Sequence, residues 1–341
     1  MPFRDLVGHS RLTSLLSRSI ESDRLPASLI FSGPAGVGKH ETAIAVAQTL
    51  NCFDRRSPAP HLPVDACGRC SPCSRVRRGL HPDVLRLVPE DSRSIKTVAA
   101  RQAVEHVAYR PFEGRRRVVI IDEADALTTD AQDVLLKSLE EPPAGCLFIL
   151  VTARPEALLP TVRSRCQRFR FGVLGPAEIV GVLTSRLKKT HEQASAAAAV
   201  ANGSLGNAVA LVDSDLAEVR EAACRVLGDG ANLKDSRRRL DTIKGLLRKR
   251  PAAASVGNDR DDLAVHLRVL ASLLRDVALV SSRGQLSLVA NADRMDQLES
   301  LAESYGGERA LGAFVAVDRA IDALERNANP KIVVDWLAFQ V

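Results

Sequence analysis

The chain has no apolar run near the roughly 20 residues that a membrane-crossing helix needs, so a helical membrane protein is not expected. Its first residues, Met1 to Leu6, carry Arg4 and Asp5 and no hydrophobic stretch, so no secretory leader is expected either. Internal repeats and long low-complexity tracts are also missing, which removes solenoids and compositionally biased chains. These absences predict a cytoplasmic protein with no membrane partner.

What is there points to a globular chain. Its 341 residues are 45% hydrophobic, enough for two or three cores. Charged residues make up 26%, with a net charge of +6. That balance suits a nucleic-acid partner without demanding one. The first half alternates short apolar runs with helical patterns. Leu29-Ile30-Phe31, Val84 to Val88, Val118 to Ile121 and Leu147 to Val151 read as strands, and Leu127 to Leu139 as a helix. Continuous apolar strands between helices predict a parallel sheet covered on both faces. After Phe171 the character turns helical. A pair of helices is expected from Ala177 to Leu211, broken at Asn202-Gly203, with Ser204 as an N-cap. Stripes at Leu263, Leu267, Leu270, Leu274 and Val277, and at Leu311, Phe314, Val317, Ile321 and Leu324, predict two longer helices. Pro330 suits the first turn of a last one carrying Val333, Trp336 and Leu337, and Pro251 to Asp262 reads as a loop.

Gly33-Pro34-Ala35-Gly36-Val37-Gly38-Lys39-His40 follows the first strand and opens a helix. The pattern G-x-x-x-x-G-K builds a phosphate cradle: Gly33, Gly36 and Gly38 let backbone N–H groups converge, and Lys39 reaches the outer phosphate oxygens. The next position normally carries a Ser or Thr hydroxyl for Mg²⁺. Here it is His40, a bulky nitrogen donor that suits a hard octahedral cation poorly. Thr42 points to another side of the helix and cannot replace it. Nucleotide could bind, and efficient hydrolysis is not expected. Asp122-Glu123-Ala124-Asp125 ends the third strand. Asp122 there would hold a magnesium shell and Glu123 would orient a water, or both acids would simply begin a helix. Thr152 ends the next strand, where its hydroxyl could face a γ-phosphate.

Seven cysteines are present, and Cys52, Cys67, Cys70 and Cys73 cluster as C-x14-C-x2-C-x2-C. Four soft thiolates favour Zn²⁺, and a full protein ligand set makes the ion structural. No second Cys-x-x-Cys pair and no aromatic platform flank the cluster, which argues against a base-reading finger. Cys146, Cys166 and Cys224 read as isolated buried residues.

The order of these pieces, with His81-Pro82-Asp83, Leu139-Glu140-Glu141-Pro142-Pro143 and Ser164-Arg165-Cys166 added, resembles the bacterial DNA polymerase III clamp-loader AAA+ family. The resemblance covers residues 1 to about 211 and thins beyond. It implies an α/β AAA+ P-loop domain over residues 1–172 with a zinc insertion at 52–73. A small helical lid at 173–212 and an all-α collar domain at 213–341 would follow. It implies a hetero-pentamer with motor subunits (gamma/tau) and a delta subunit, acting on a sliding clamp and primer-template DNA within a polymerase holoenzyme. It also implies that Arg165 is an arginine finger serving a neighbour's ATP site, and that Val7-Gly8-His9 lies near an adenine. Gly206 stands where the family motor has a lid arginine, and 341 residues leave no room for a long tau-like tail. Together with His40, these differences favour a non-hydrolysing subunit over an active motor. A zinc-bearing DNA-binding module outside the family is the third reading.

Overall fold

The computed structural model describes residues 1–57, 64–89, 94–231, 236–247, 259–326 and 328–341. They form two compact units, Met1–Glu178 and Ile179–Val341.

The first unit is built on a parallel five-stranded sheet. Its strands are β1 (Ser28–Ser32), β2 (Val84–Leu87), β3 (Arg117–Ile121), β4 (Cys146–Thr152) and β5 (Gln167–Arg170), in the order β2-β3-β4-β1-β5. Strand side chains alternate between faces, and the two cores follow that alternation. Leu29 and Phe31, Val118 and Ile120, and Leu147, Ile149 and Val151 enter one core. Ile30, Val119, Ile121, Phe148 and Leu150 enter the other. Helices α1 (Ser10–Glu21) and α2 (Lys39–Asn51) cover the first face through Leu16, Ile20, Ile44 and Leu50. Helices α4 (Thr97–Ala108) and α5 (Thr129–Glu140) cover the second through Ala103, Val107, Leu135 and Leu139. Between them, the short α3 (Ser71–Arg78) carries Cys73. Each fully buried Leu, Ile, Val or Phe contributes about 1.5–3 kcal/mol, so the strand core is the main stabilising feature.

The apolar strands lie where the sequence places them, except that β2 stops at Leu87 and leaves Val88 exposed. Strand β5 has no apolar signature. Gln167, Arg168 and Arg170 are exposed, and pairing with β1 at the sheet edge forms it. Short α6 (Pro160–Arg163) precedes it. The expected parallel α/β P-loop sheet is therefore present, with β1 between β4 and the edge strand β5 and the glycine-rich turn at the C-terminal end of β1.

From residue 176 the described chain is helical. The expected helix pair is three helices, α7 (Pro176–Ser185), α8 (His191–Val200) and α9 (Leu205–Asp213). The missed break is at Thr190, whose side chain and that of Gln193 form a reciprocal cap on α8. Asn202 and Gly203 both adopt left-handed conformations, and Ser204 Oγ accepts from Asn207 N to start α9. Helices α10 (Leu216–Ala231), α11 (Ser236–Lys244), α12 (Asp259–Ser281), α13 (Met295–Glu325, kinked at Gly306) and α14 (Pro330–Leu337) complete the chain. The α12 stripe is buried throughout. In α13, Val317 and Leu324 are buried but Leu311 is 58% exposed, and Trp336 of α14 is 38% exposed. Most of the expected loop at Pro251 to Asp262 lies outside the described residues, and its last four residues open α12. No described helix is long and apolar enough to cross a membrane.

Candidate nucleotide and metal sites

β1 delivers the chain to a turn through Gly33, Gly36 and Gly38, with φ of +151°, +71° and +103°. A Cβ at Gly33 would stand 2.3 Å from the Phe171 carbonyl oxygen, so only glycine fits. Gly38 caps α2 and aims the first-turn N–H groups of that helix at the turn. Lys39 is almost fully buried, and its Nζ donates to the Gly33 and Pro34 carbonyls at 2.7 and 2.5 Å. The ammonium thus spans the cradle from inside. Thr42 Oγ1 donates to Gly38 O, away from that side, as its helical offset requires. His9 Nε2 lies 3.0 Å from Val37 O and its ring stands edge-on to Phe171, which ties the Val7-Gly8-His9 segment to the same turn.

His40 is engaged on both ring nitrogens. Nε2 lies 2.9 Å from an Arg86 guanidinium nitrogen, and Nδ1 lies 2.8 Å from Asp122 Oδ2. A guanidinium only donates, so Nε2 accepts and the ring proton sits on Nδ1, facing Asp122. That second approach is short but poorly directed for a hydrogen bond. Burial works to raise the Asp122 carboxyl. His40, the Glu123 N–H and Arg86 outweigh it and hold the group below its ordinary range. Glu123 follows in a left-handed conformation, φ +48°, and is exposed. Asp122 is the carboxylate a P-loop magnesium shell would need, and it already faces a histidine proton backed by a guanidinium. The side-chain set therefore does not fit Mg²⁺.

Thr152 is buried, and its Oγ1 donates to Asp125 Oδ1 at 2.7 Å. Arg154 donates through Nε and Nη2 to Asp125 Oδ2 at 3.0 and 2.7 Å, and its backbone N–H reaches the Thr152 hydroxyl. The hydroxyl expected to face a phosphate is committed to this triad. Neither Arg86 nor Arg154 was singled out in the sequence. Their signal is positional only: Arg86 pairs in register with Ile120, two residues before Asp122.

Arg165 sits in the turn between α6 and β5, anchored by the buried Cys166. Nε and Nη2 both lie 2.8 Å from Glu140 Oε2, and Nη1 donates to Thr161 O at 3.0 Å. Its side chain remains 31% exposed. Two further arginines of this unit are also paired, Arg75 with Glu113 and Arg116 with Asp23.

The thiols of Cys52, Cys67, Cys70 and Cys73 all lie within 4.8 Å of one another. Backbone N–H groups of Cys67 and Cys70 point at the sulfurs of Cys52 and Cys67, each at 3.3 Å. Burial works to raise the Cys67 thiol, but the N–H groups of Arg69 and Cys70 and the neighbouring thiols bring it down to about 7. Four converging sulfurs with N–H support fit a soft metal ion, and the cluster could hold one. Cys146 and Cys166 are buried as expected, whereas Cys224 is only half-buried, with Arg294 and Gln297 beside it.

Comparison with known proteins places these features. Residues 8–174 match the family model described as DNA polymerase III, delta subunit. The tau subunit of DNA polymerase III from Bacillus subtilis is 32% identical over 217 residues, 62% of this chain and 37% of that one. The delta' subunit from the same organism is 36% identical over 169 residues, 50% of this chain and 49% of that one. The chain thus spans half or less of the length of these relatives. A gamma subunit-related protein of Thermotoga maritima aligns over 96% of this chain and 97% of its own, with 17% identity and a TM-score of 0.42. Over residues 8–174, just under half of its length, the chain is thus similar to subunits of DNA polymerase III.

Proposed function

We propose that the chain is a delta-prime subunit: a clamp-loader component that turns over little or no ATP itself and lends Arg165 to the ATP site of a neighbouring motor subunit. The observation that carries this reading is His40 standing against Asp122 where a hydrolytic site needs magnesium. Thr152, tied to Asp125, supports it, because its hydroxyl is not free to report on a phosphate. Arg165 is partly exposed on a turn, and a guanidinium so placed can stabilise charge spreading over a neighbour's transferring phosphoryl group. In this reading residues 1–172 are the AAA+ module, 173–212 the lid and 213–341 the collar. The partners are gamma/tau and delta subunits, the sliding clamp and primed DNA, in the cytoplasm. The four cysteines hold a structural Zn²⁺.

The test is ATPase activity of motor subunits mixed with this chain on primed DNA. Wild type should stimulate turnover, and Arg165→Ala should lower that stimulation by about 10³-fold or to background. Equal stimulation by both proteins would remove the finger role. The retained Lys39, Asp122 and Glu123 favour one second reading, an active motor of gamma/tau type. Robust magnesium-dependent turnover by the isolated chain, abolished by Lys39→Ala, would select it.

A further inference from the structure

We infer that Arg86 and His40 act as a built-in cation in this P-loop, so that a nucleoside di- or triphosphate bound here is held without a divalent metal ion. Three observations converge. The cradle is intact: Gly33, Gly36 and Gly38 keep positive φ angles, and a side chain added at Gly38 would meet nothing within 4 Å. Lys39 stays buried under the loop, ready to exchange its two carbonyl contacts for phosphate oxygens. The carboxylate that would anchor the metal is already engaged by protein groups. His40 Nδ1 stands 2.8 Å from Asp122, and Arg86 backs the ring at 2.9 Å.

The electrostatics give the arrangement its sense. In a metal-dependent P-loop, the divalent ion screens an acid from the incoming phosphates and bridges their oxygens. Here the imidazole occupies an Asp122 oxygen, and the Arg86 guanidinium supplies positive charge on the other side of the ring. A guanidinium is permanently charged and is a strong partner for phosphate. What the pair cannot do is bridge β- and γ-oxygens in octahedral geometry, so binding separates from turnover. Arg86 is a specificity-determining residue in this account. Through His40, it decides that the nucleotide enters as the free anion instead of the magnesium complex.

The experiment is isothermal titration of ADP and of ATP into the full chain, once with magnesium chloride and once with EDTA. Wild type should bind with affinities that agree within about twofold between the two buffers. The double variant His40→Ser, Arg86→Gln should bind about tenfold or more tightly with magnesium, a change of about 1.4 kcal/mol. Its melting temperature would confirm that it folds, and the wild-type comparison decides the matter if it does not. Wild-type affinity rising tenfold with magnesium would overturn the inference. So would no binding of either nucleotide in either buffer. Tighter wild-type binding with magnesium would also weaken the His40 argument for a non-hydrolysing subunit, but neither result bears on Arg165, whose stimulation assay stands or falls by itself.

Discussion

Asp83 is wholly buried, and its carboxylate accepts N–H bonds from Phe112, Glu113 and Gly114 at 2.6, 2.9 and 2.7 Å. Asn51 does similar work nearby, with Oδ1 accepting from the N–H groups of Arg115 and Arg116. Together they fix the turn that feeds β3, the strand ending at Asp122. Burial works to raise the Asp83 carboxyl, but the three N–H donors and His81 hold it below the ordinary aspartate range. A depressed folded value means the stabilisation is complete above the unfolded value and is lost as pH falls through the folded one. Asp83→Asn should therefore cost about 2–3 kcal/mol at pH 7 and flatten the acid-induced loss of stability below about pH 4. Urea melts at both pH values check this, and unchanged stability at pH 7 would refute it. The His81-Pro82-Asp83 signature thus has a structural explanation at hand, independent of any catalytic one.

At the scale of elements, the cysteine insertion is stitched to the start of the chain. The N–H groups of Phe3 and Arg4 reach the Asp65 carboxylate at 2.9 and 3.1 Å. Arg4 also donates to the Ala66 and Cys67 carbonyls at 2.8 and 2.9 Å. We expect one equivalent of zinc per chain, lost with Cys70→Ser. Its removal should lower the melting temperature by about 5–10 °C. Metal analysis and a thermal scan with chelator test this, and a metal-free protein with an unchanged melt would end the zinc assignment. Elements differ in how legible they are. The apolar strands and the phosphate turn are visible because hydrophobic runs and glycine patterns are local. β5 is not, because Gln167 to Arg170 are polar and become a strand only by pairing with Leu29 to Ser32. The misfit of His40 is readable as a missing hydroxyl. Its partners are not, because Arg86 and Asp122 meet it only when β2 and β3 lie side by side. The strand-end position of Thr152 is legible, but the Asp125–Arg154 contacts that occupy it are long-range.

For the whole molecule, the division at Glu178 has a thermodynamic corollary. Each unit has its own buried residues, Phe31 and Phe148 in the first and Leu270 and Val317 in the second. Units with separate cores unfold separately unless strongly coupled. Calorimetry should resolve two transitions, with chelator moving only the one that belongs to the cysteine-bearing unit. A single transition shifted as a whole would contradict that. Arg165 has a different bearing on assembly. Its pairing with Glu140 joins a 31% exposed side chain to a 56% exposed one, and pairs of this kind contribute about 0–1 kcal/mol. Releasing the guanidinium to another anion therefore costs little. Thr161 O meanwhile holds its far end, so the side chain has already surrendered much of its rotamer freedom before any encounter. If this loosely leashed but straightened arm serves a neighbour as proposed, raised ionic strength should free it from Glu140 and slow productive docking together, leaving the neighbour's intrinsic rate untouched.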